Sequence, residues 1–146
     1  MIKPVLKIAA VASFCFGGAA VANADVSTIS AQDAHMMVQR GELILLDVRS
    51  PTEWAMTGVP QDSRTASSSA PDFLAQARGA VYGDLEHPVA VICRTGNRSA
   101  EAAKKLEAEG FTAVYDIPEG MSRDRSAGEG WLTRGLPTDP FIPRDR

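Results

Sequence analysis

The sequence predicts an α/β domain of three layers, with helices on both faces of a central parallel sheet. Two apolar runs carry the expectation: Leu43-Ile44-Leu45-Leu46-Asp47-Val48 and Val89-Ala90-Val91-Ile92-Cys93. Neither alternates polar with apolar residues, the pattern of strands covered on both sides. The third observation is that capped helical segments lie between the runs, as crossovers of a parallel sheet require.

The chain opens with Lys3 and Lys7 ahead of an apolar stretch from Ile8 to Val21, closed by Ala22-Asn23-Ala24. Basic start, short apolar middle and small residues at the end predict a secretory signal peptide over residues 1–24. The stretch falls short of the roughly 18 to 20 apolar residues of a spanning helix and contains Gly17 and Gly18. A lipoprotein reading through Cys15 is disfavoured by Phe14, where a small residue would be expected. A periplasmic or secreted location follows, with no membrane span after cleavage. Without residues 1–24 the 146-residue chain keeps 122 residues, a suitable size for one domain over 25–140 with a loose tail over 141–146. The leader holds two lysines and no acidic residue, so the chain's 15 basic and 18 acidic residues become 13 and 18, a charge of −5. That balance gives no electrostatic footing for binding nucleic acid or an anionic membrane surface.

Taken in order, Ser30-Ala31-Gln32-Asp33 has capping-box spacing and opens a helix to about Arg40, before Gly41. The strand Leu43 to Val48 follows. Ser50-Pro51-Thr52-Glu53 caps a short second helix that carries Trp54 into the core, with proline at its first position. From Gly58 to about Pro71 the small and polar composition predicts a long surface loop. Phe73, Leu74 and Ala77 mark another helix, Val89 to Cys93 the second buried strand, and Ser99 to Glu109 a helix stopped by Gly110. Ala113-Val114-Tyr115 reads as a further strand, Gly120-Met121 as the start of a loop, and Gly130 to Gly135 as a last helical turn. The proline-rich end from Pro137 is expected to be loose.

Of the chain's two cysteines, only Cys93 would survive loss of the leader, so no internal disulfide is available. Cys93 stands at the carboxyl end of a predicted strand, the edge where ligands bind in open parallel sheets. After it come Arg94, Thr95, Gly96, Asn97, Arg98 and Ser99, then a helix. Two arginines, a row of backbone N–H groups and a helix amino terminus all favour thiolate over thiol. Gly96 gives the loop the freedom to curl round an anion, and Asn97 tolerates left-handed geometry. A packed core cysteine would explain neither the arginines nor the glycine.

Three segments, Asp47-Val48-Arg49-Ser50-Pro51-Thr52-Glu53-Trp54, Val91-Ile92-Cys93-Arg94-Thr95-Gly96-Asn97-Arg98-Ser99 and Gly110-Phe111-Thr112-Ala113-Val114-Tyr115, resemble the successive signatures of single-domain rhodanese homology proteins. The similarity spans about Ser30 to Pro137 and is most specific at the cysteine loop. It implies a rhodanese-like α/β/α domain and sulfurtransferase chemistry. Cys93 would take sulfane sulfur from a thiosulfate-like anion, hold it as a persulfide, and pass it to a thiol or a cyanide-like acceptor, with a protein acceptor also possible. Arg94, Thr95, Gly96, Asn97, Arg98 and Ser99 would bind the anion or persulfide, supported by Asp47 and Arg49. No cofactor or metal is implied. One departure is clear: members commonly continue into Gly-His-Ile or Gly-His-Val, whereas Trp54-Ala55-Met56-Thr57-Gly58-Val59-Pro60 has no histidine. The stretch from Gln61 to Ala70 is also unusual, and substrate preference is expected to lie there.

Two rivals stay open at this level. Cysteine-dependent phosphatases and arsenate reductases place five residues between cysteine and arginine, where Arg94 to Asn97 supplies four, a ring that suits a sulfur atom better than a phosphate. The other rival is a binding module that presents sulfur or an anion to a partner. For Asp47 two roles are open: bracing the active loop through its amides or Arg98, or an ordinary cap beside an Arg49–Glu53 ion pair. His35 and His87 read as solvated surface residues, Trp54 and Trp131 as core anchors, and Arg123, Asp124 and Arg125 as a solvated charge run.

Overall fold

The computed structural model describes residues 25–122 and 128–143. The expected signal peptide, the Arg123-Asp124-Arg125 run and residues 144–146 lie outside the described residues. Five strands form a parallel sheet: β1 (Ser27–Thr28), β2 (Ile44–Asp47), β4 (Arg64–Thr65), β5 (Val89–Ile92) and β6 (Val114–Asp116). Their spatial order is β1-β6-β5-β2-β4, which puts the two apolar runs β5 and β2 side by side near the centre. Helices α1 (Ala31–Gln39), α2 (Pro51–Thr57), α3 (Phe73–Ala80) and α4 (Asn97–Ala108) supply the connections. Among the described residues no helix is long and apolar enough to cross a membrane.

The two faces of the sheet carry separate cores. On one, Leu46, Val48, Val89, Val91 and Val114 pack with Phe73 and Ala77 of α3 and Ala102, Ala103 and Leu106 of α4. On the other, Leu45, Ala90 and Ile92 pack with Ala31 and Ala34 of α1, Ile117, Met121 and Trp131. Successive residues of β5 thus point to opposite cores, which is why the run has no polar position. Each fully buried Val, Leu, Ile, Phe or Met among them contributes about 1.5–3 kcal/mol.

The caps form as the sequence dictates. Ser30 Oγ accepts the Asp33 amide at 3.0 Å, and Ser50 with Glu53 closes a reciprocal capping box. Three expectations change. The stretch Gly58 to Pro71 contains β3 (Val59–Pro60) and the edge strand β4, and it buries Ala66 completely. The end from Pro137 is not loose throughout: β7 (Thr138–Asp139) pairs antiparallel with β3, and the Phe141 ring lies tilted against Trp54 with centroids 5.1 Å apart. His35 is half-buried and stands edge-on to Trp131 at 5.5 Å, because the face of α1 that carries it packs against that indole.

Candidate active site

Cys93 follows β5 directly and is only 1% exposed. The chain then turns through Arg94-Thr95-Gly96 into α4, with Gly96 at the helix cap in left-handed geometry, φ 98°. This turn brings the Gly96 amide back onto the sulfur: it donates to Cys93 Sγ at 3.1 Å. The Cys93 thiol in turn reaches Ser99 Oγ at 3.5 Å, and the Ser99 hydroxyl donates to the Gly96 carbonyl at 3.0 Å. Gly96 is required twice over. Its φ is hostile to a side chain, and an added Cβ would lie 2.5 Å from the Pro118 carbonyl oxygen.

That contact identifies the wall behind the loop. After β6 the chain runs through Pro118-Glu119-Gly120, and Met121 and Ser122 donate their amides to the carbonyls of Cys93 and Arg94 at 2.8 and 3.0 Å. Glu119 anchors this wall. Its carboxylate accepts the Ala31 amide at 3.0 Å and Arg134 Nη2 at 2.7 Å, so α1 and the last turn hold it from outside.

The charged residues of the two signatures sort differently from their sequence neighbours. Asp47 and Arg49, 0% and 2% exposed, pair with each other: Arg49 Nη2 donates to Asp47 Oδ2 at 2.6 Å and Nε to Oδ1 at 3.0 Å. Arg49 also donates to Thr57 Oγ1 and the Gly58 carbonyl, both at 2.9 Å, which ties β2 to the far end of α2. The Arg49–Glu53 pair therefore does not form, and Asp47 makes no hydrogen bond to Arg98. Glu53 takes Arg98 instead, through two bonds of 2.8 Å, while accepting the Ser50 amide and hydroxyl at 3.0 Å each. The Arg98 bonds foremost hold the Glu53 carboxyl at about 2, against 4.5 for the free side chain. Glu53 raises Arg98 in return, helped by the nearby charges of Cys93 and Asp47. Arg94 and Asn97 are exposed at the mouth of the loop, and Thr95 is half-buried.

Two features escaped the sequence. One is Asp116 at the end of β6, 6% exposed and raised above the usual carboxylate range by burial, partly offset by Ser99 and the Ile117 amide. The other is a cavity of about 790 Å³ beside α2, walled by Pro51, Trp54, Ser67, Ser69, Ala70 and Pro71. Ser67, Ser69 and Ala70 belong to the Gln61 to Ala70 stretch, so part of that stretch lines the cavity.

Chemically, this is a buried sulfur under a backbone donor at a helix amino terminus, with a bound arginine close by. The Rhodanese-like domain family matches residues 30–127. The thiosulfate sulfurtransferase GlpE of Stutzerimonas stutzeri (strain A1501) is 34% identical over 97 residues, covering 66% of this chain and 83% of that protein. The fold is similar to the polysulfide-sulfur transferase homodimer of Wolinella succinogenes, with a TM-score of 0.62, 32% identity and 80% of each chain covered. It is also similar to Rv0390 from M. tuberculosis, with a TM-score of 0.66, 27% identity, and 80% and 98% of the two chains covered.

Proposed function

The chain belongs to the Rhodanese-like domain family, and on that premise we propose that it is a sulfurtransferase whose Cys93 carries the transferred sulfur as a persulfide. The observation that carries the reading is the Gly96 amide aimed at Cys93 Sγ from 3.1 Å, at the amino end of α4. A backbone donor fixed on sulfur stabilises negative charge there without moving during the reaction. With thiosulfate as donor, the Cys93 thiolate attacks the outer sulfur, the S–S bond of the donor breaks, and sulfite leaves with the electron pair. The outer sulfur of the persulfide then passes to a thiol or cyanide-like nucleophile, and the Cys93 thiolate is restored with both of its electrons.

The roles divide by position. Gly96 and Ser99 touch the sulfur, Arg94, Thr95 and Asn97 line the mouth where a donor anion arrives, and Arg98 sets the local charge while held by Glu53. Asp47 and Arg49 hold the neighbouring strand end in place. The 34% identical relative named a thiosulfate sulfurtransferase supports thiosulfate as a donor, and the similar polysulfide-sulfur transferase supports longer sulfane chains. A periplasmic or secreted setting rests on the leader-like residues 1–24, and N-terminal sequencing of exported protein would test it.

The deciding experiment is intact mass before and after thiosulfate, with turnover to cyanide, on wild type and Cys93→Ser. One added sulfur on wild type alone, with turnover lost in the variant, is the expected result. Sulfur transfer that survives in Cys93→Ser, or phosphoryl-ester hydrolysis without sulfur transfer, would overturn it.

A further inference from the structure

Glu53 is an acidic side chain beside the cysteine loop to which the sulfur reaction above gives no part in choosing a donor. Its place is fixed from two sides. Oε2 accepts the Ser50 amide and hydroxyl at 3.0 Å each, so the capping box ties the carboxylate to the first turn of α2. From the first turn of α4, Arg98 grips it through Nη1 to Oε2 and Nη2 to Oε1, both at 2.8 Å. α2 follows β2, α4 follows β5, and these strands are paired, so the ion pair bridges the two carboxyl ends where Cys93 lies. The Glu53 carboxyl, held at about 2 foremost by Arg98, stays ionised at neutral pH.

A sulfane donor arrives at this loop as an anion, and the loop has to meet its charge. Bidentate pairing cancels most of the Arg98 charge a few ångströms away, while the guanidinium keeps other N–H groups to donate. Asp47 and Arg49 cancel each other in the same way at the end of β2. The other basic side chain of the loop is Arg94, which is exposed and takes part in none of the salt bridges among the described residues. To it are added the amino end of α4 and the Gly96 amide. One full positive charge and a partial one suit a donor with a single negative charge. Thiosulfate carries two, and the second meets an arginine already taken by Glu53.

We infer that Glu53 is a positioning residue that withholds the charge of Arg98 from the donor, so that the site selects singly charged sulfane donors, such as thiosulfonates and alkyl persulfide anions, over the thiosulfate dianion. Thiosulfate remains a substrate, at a disadvantage. The chemistry is common to both classes. The Cys93 thiolate attacks the outer sulfur, the S–S bond of the donor breaks, and the leaving group takes the electron pair: sulfite from thiosulfate, methanesulfinate from methanethiosulfonate. Only the charge brought to the loop differs. The selection therefore acts on the donor half of the reaction, whereas transfer to the acceptor starts from the same Cys93 persulfide in every case.

This inference rests on Cys93 as the sulfur carrier. Its test is kcat/KM of the full chain for thiosulfate and for methanethiosulfonate, with cyanide as the common acceptor. Glu53→Gln keeps an acceptor for the Ser50 cap and releases the charge of Arg98. The ratio of thiosulfate to methanethiosulfonate kcat/KM should rise about three- to tenfold, through the thiosulfate KM more than through kcat. Arg98→Gln leaves Glu53 uncompensated and should lower the ratio. The double variant restores the balance of charge and should return the ratio close to wild type, a cancellation that a merely loosened junction would not produce. An unchanged ratio in Glu53→Gln overturns the inference, and so does a lower one, which would mean that Glu53 aims Arg98 at the donor. Melting curves establish that each variant is folded. Should Glu53→Gln not fold, the double variant is set against Arg98→Gln: a higher ratio in the double variant supports the inference and equal ratios refute it. Failure of both donors to load wild type would end the sulfurtransferase reading and this inference together, whereas loading by both with an unmoved ratio ends the inference alone.

Discussion

Asp47 and Ile92 are register partners in adjacent parallel strands, yet one residue further along each chain the two ends differ completely. After β5 comes Cys93, a buried sulfur met by one backbone amide and a serine. At the end of β2, Asp47 and Arg49 are buried together, and the arginine also satisfies Thr57 and Gly58. One strand end holds the sulfur proposed to react, with two contacts around it. The other closes its charges into a finished network. The same edge of one sheet thus sets the proposed reactive group beside a structural ion pair, and the two differ in how many polar partners close around each.

The sharpest way to break that contrast is Asp47→Ala. Arg49 would be left buried without its carboxylate, and loss of one member of a buried pair costs about 3–5 kcal/mol. The denaturation midpoint should fall accordingly, while persulfide mass per folded molecule stays at the wild-type level. The double variant Asp47→Leu with Arg49→Met removes both charges and should recover much of the loss. Sulfur loading that disappears from fully stable Asp47→Ala would instead place Asp47 on the chemical side.

Gly96→Ala attacks the other strand end. At φ 98°, with the Pro118 carbonyl 2.5 Å from the new methyl group, the loop has to shift. Strain of this kind costs about 1–3 kcal/mol, less than the Asp47 substitution, but it displaces the amide that meets the sulfur. Persulfide formation should therefore drop by more than the stability change accounts for. Normal loading at reduced stability would show that the amide position is not critical.

Much of this division was legible in residue order. The apolar runs of β2 and β5, the Ser30 and Ser50 caps and the Cys93-to-Ser99 turn are local patterns, and each formed where local chemistry places it. The misses share a cause. The edge strand β4 has two residues and takes its register from Leu46 and Asp47, so a polar Arg64-Thr65 pair carries no periodic signal. β7 exists because Val59 and Pro60, some 80 positions earlier, offer an edge to pair with. His35 was hidden by Trp131, and Asp116 by a strand too short to show which side it faces. Glu53 shows both situations in one side chain. Its cap on Ser50 follows from spacing, whereas its bond to Arg98 spans 45 positions and exists only in the fold.

That bond also joins the two regions, since α2 follows the Asp47 strand and α4 follows Cys93. Its sign with pH follows from the depressed Glu53 value. A carboxyl at about 2 when folded and near 4.5 when free contributes stability above pH 4.5, and loses it as pH falls toward 2. Glu53→Gln keeps an acceptor for the Ser50 amide but discards the charge. Because Arg98 is 42% exposed on its side chain, solvent screens the pair, and the difference from wild type at neutral pH should be only about 0.2–1 kcal/mol. Melting temperatures of the two proteins should converge between pH 4.5 and 2, and also at high salt, where exposed pairs weaken. A gap that persists at pH 2 would mean that Glu53 stabilises the junction by shape and capping alone, and the electrostatic link between the stable and the reactive strand ends would be lost.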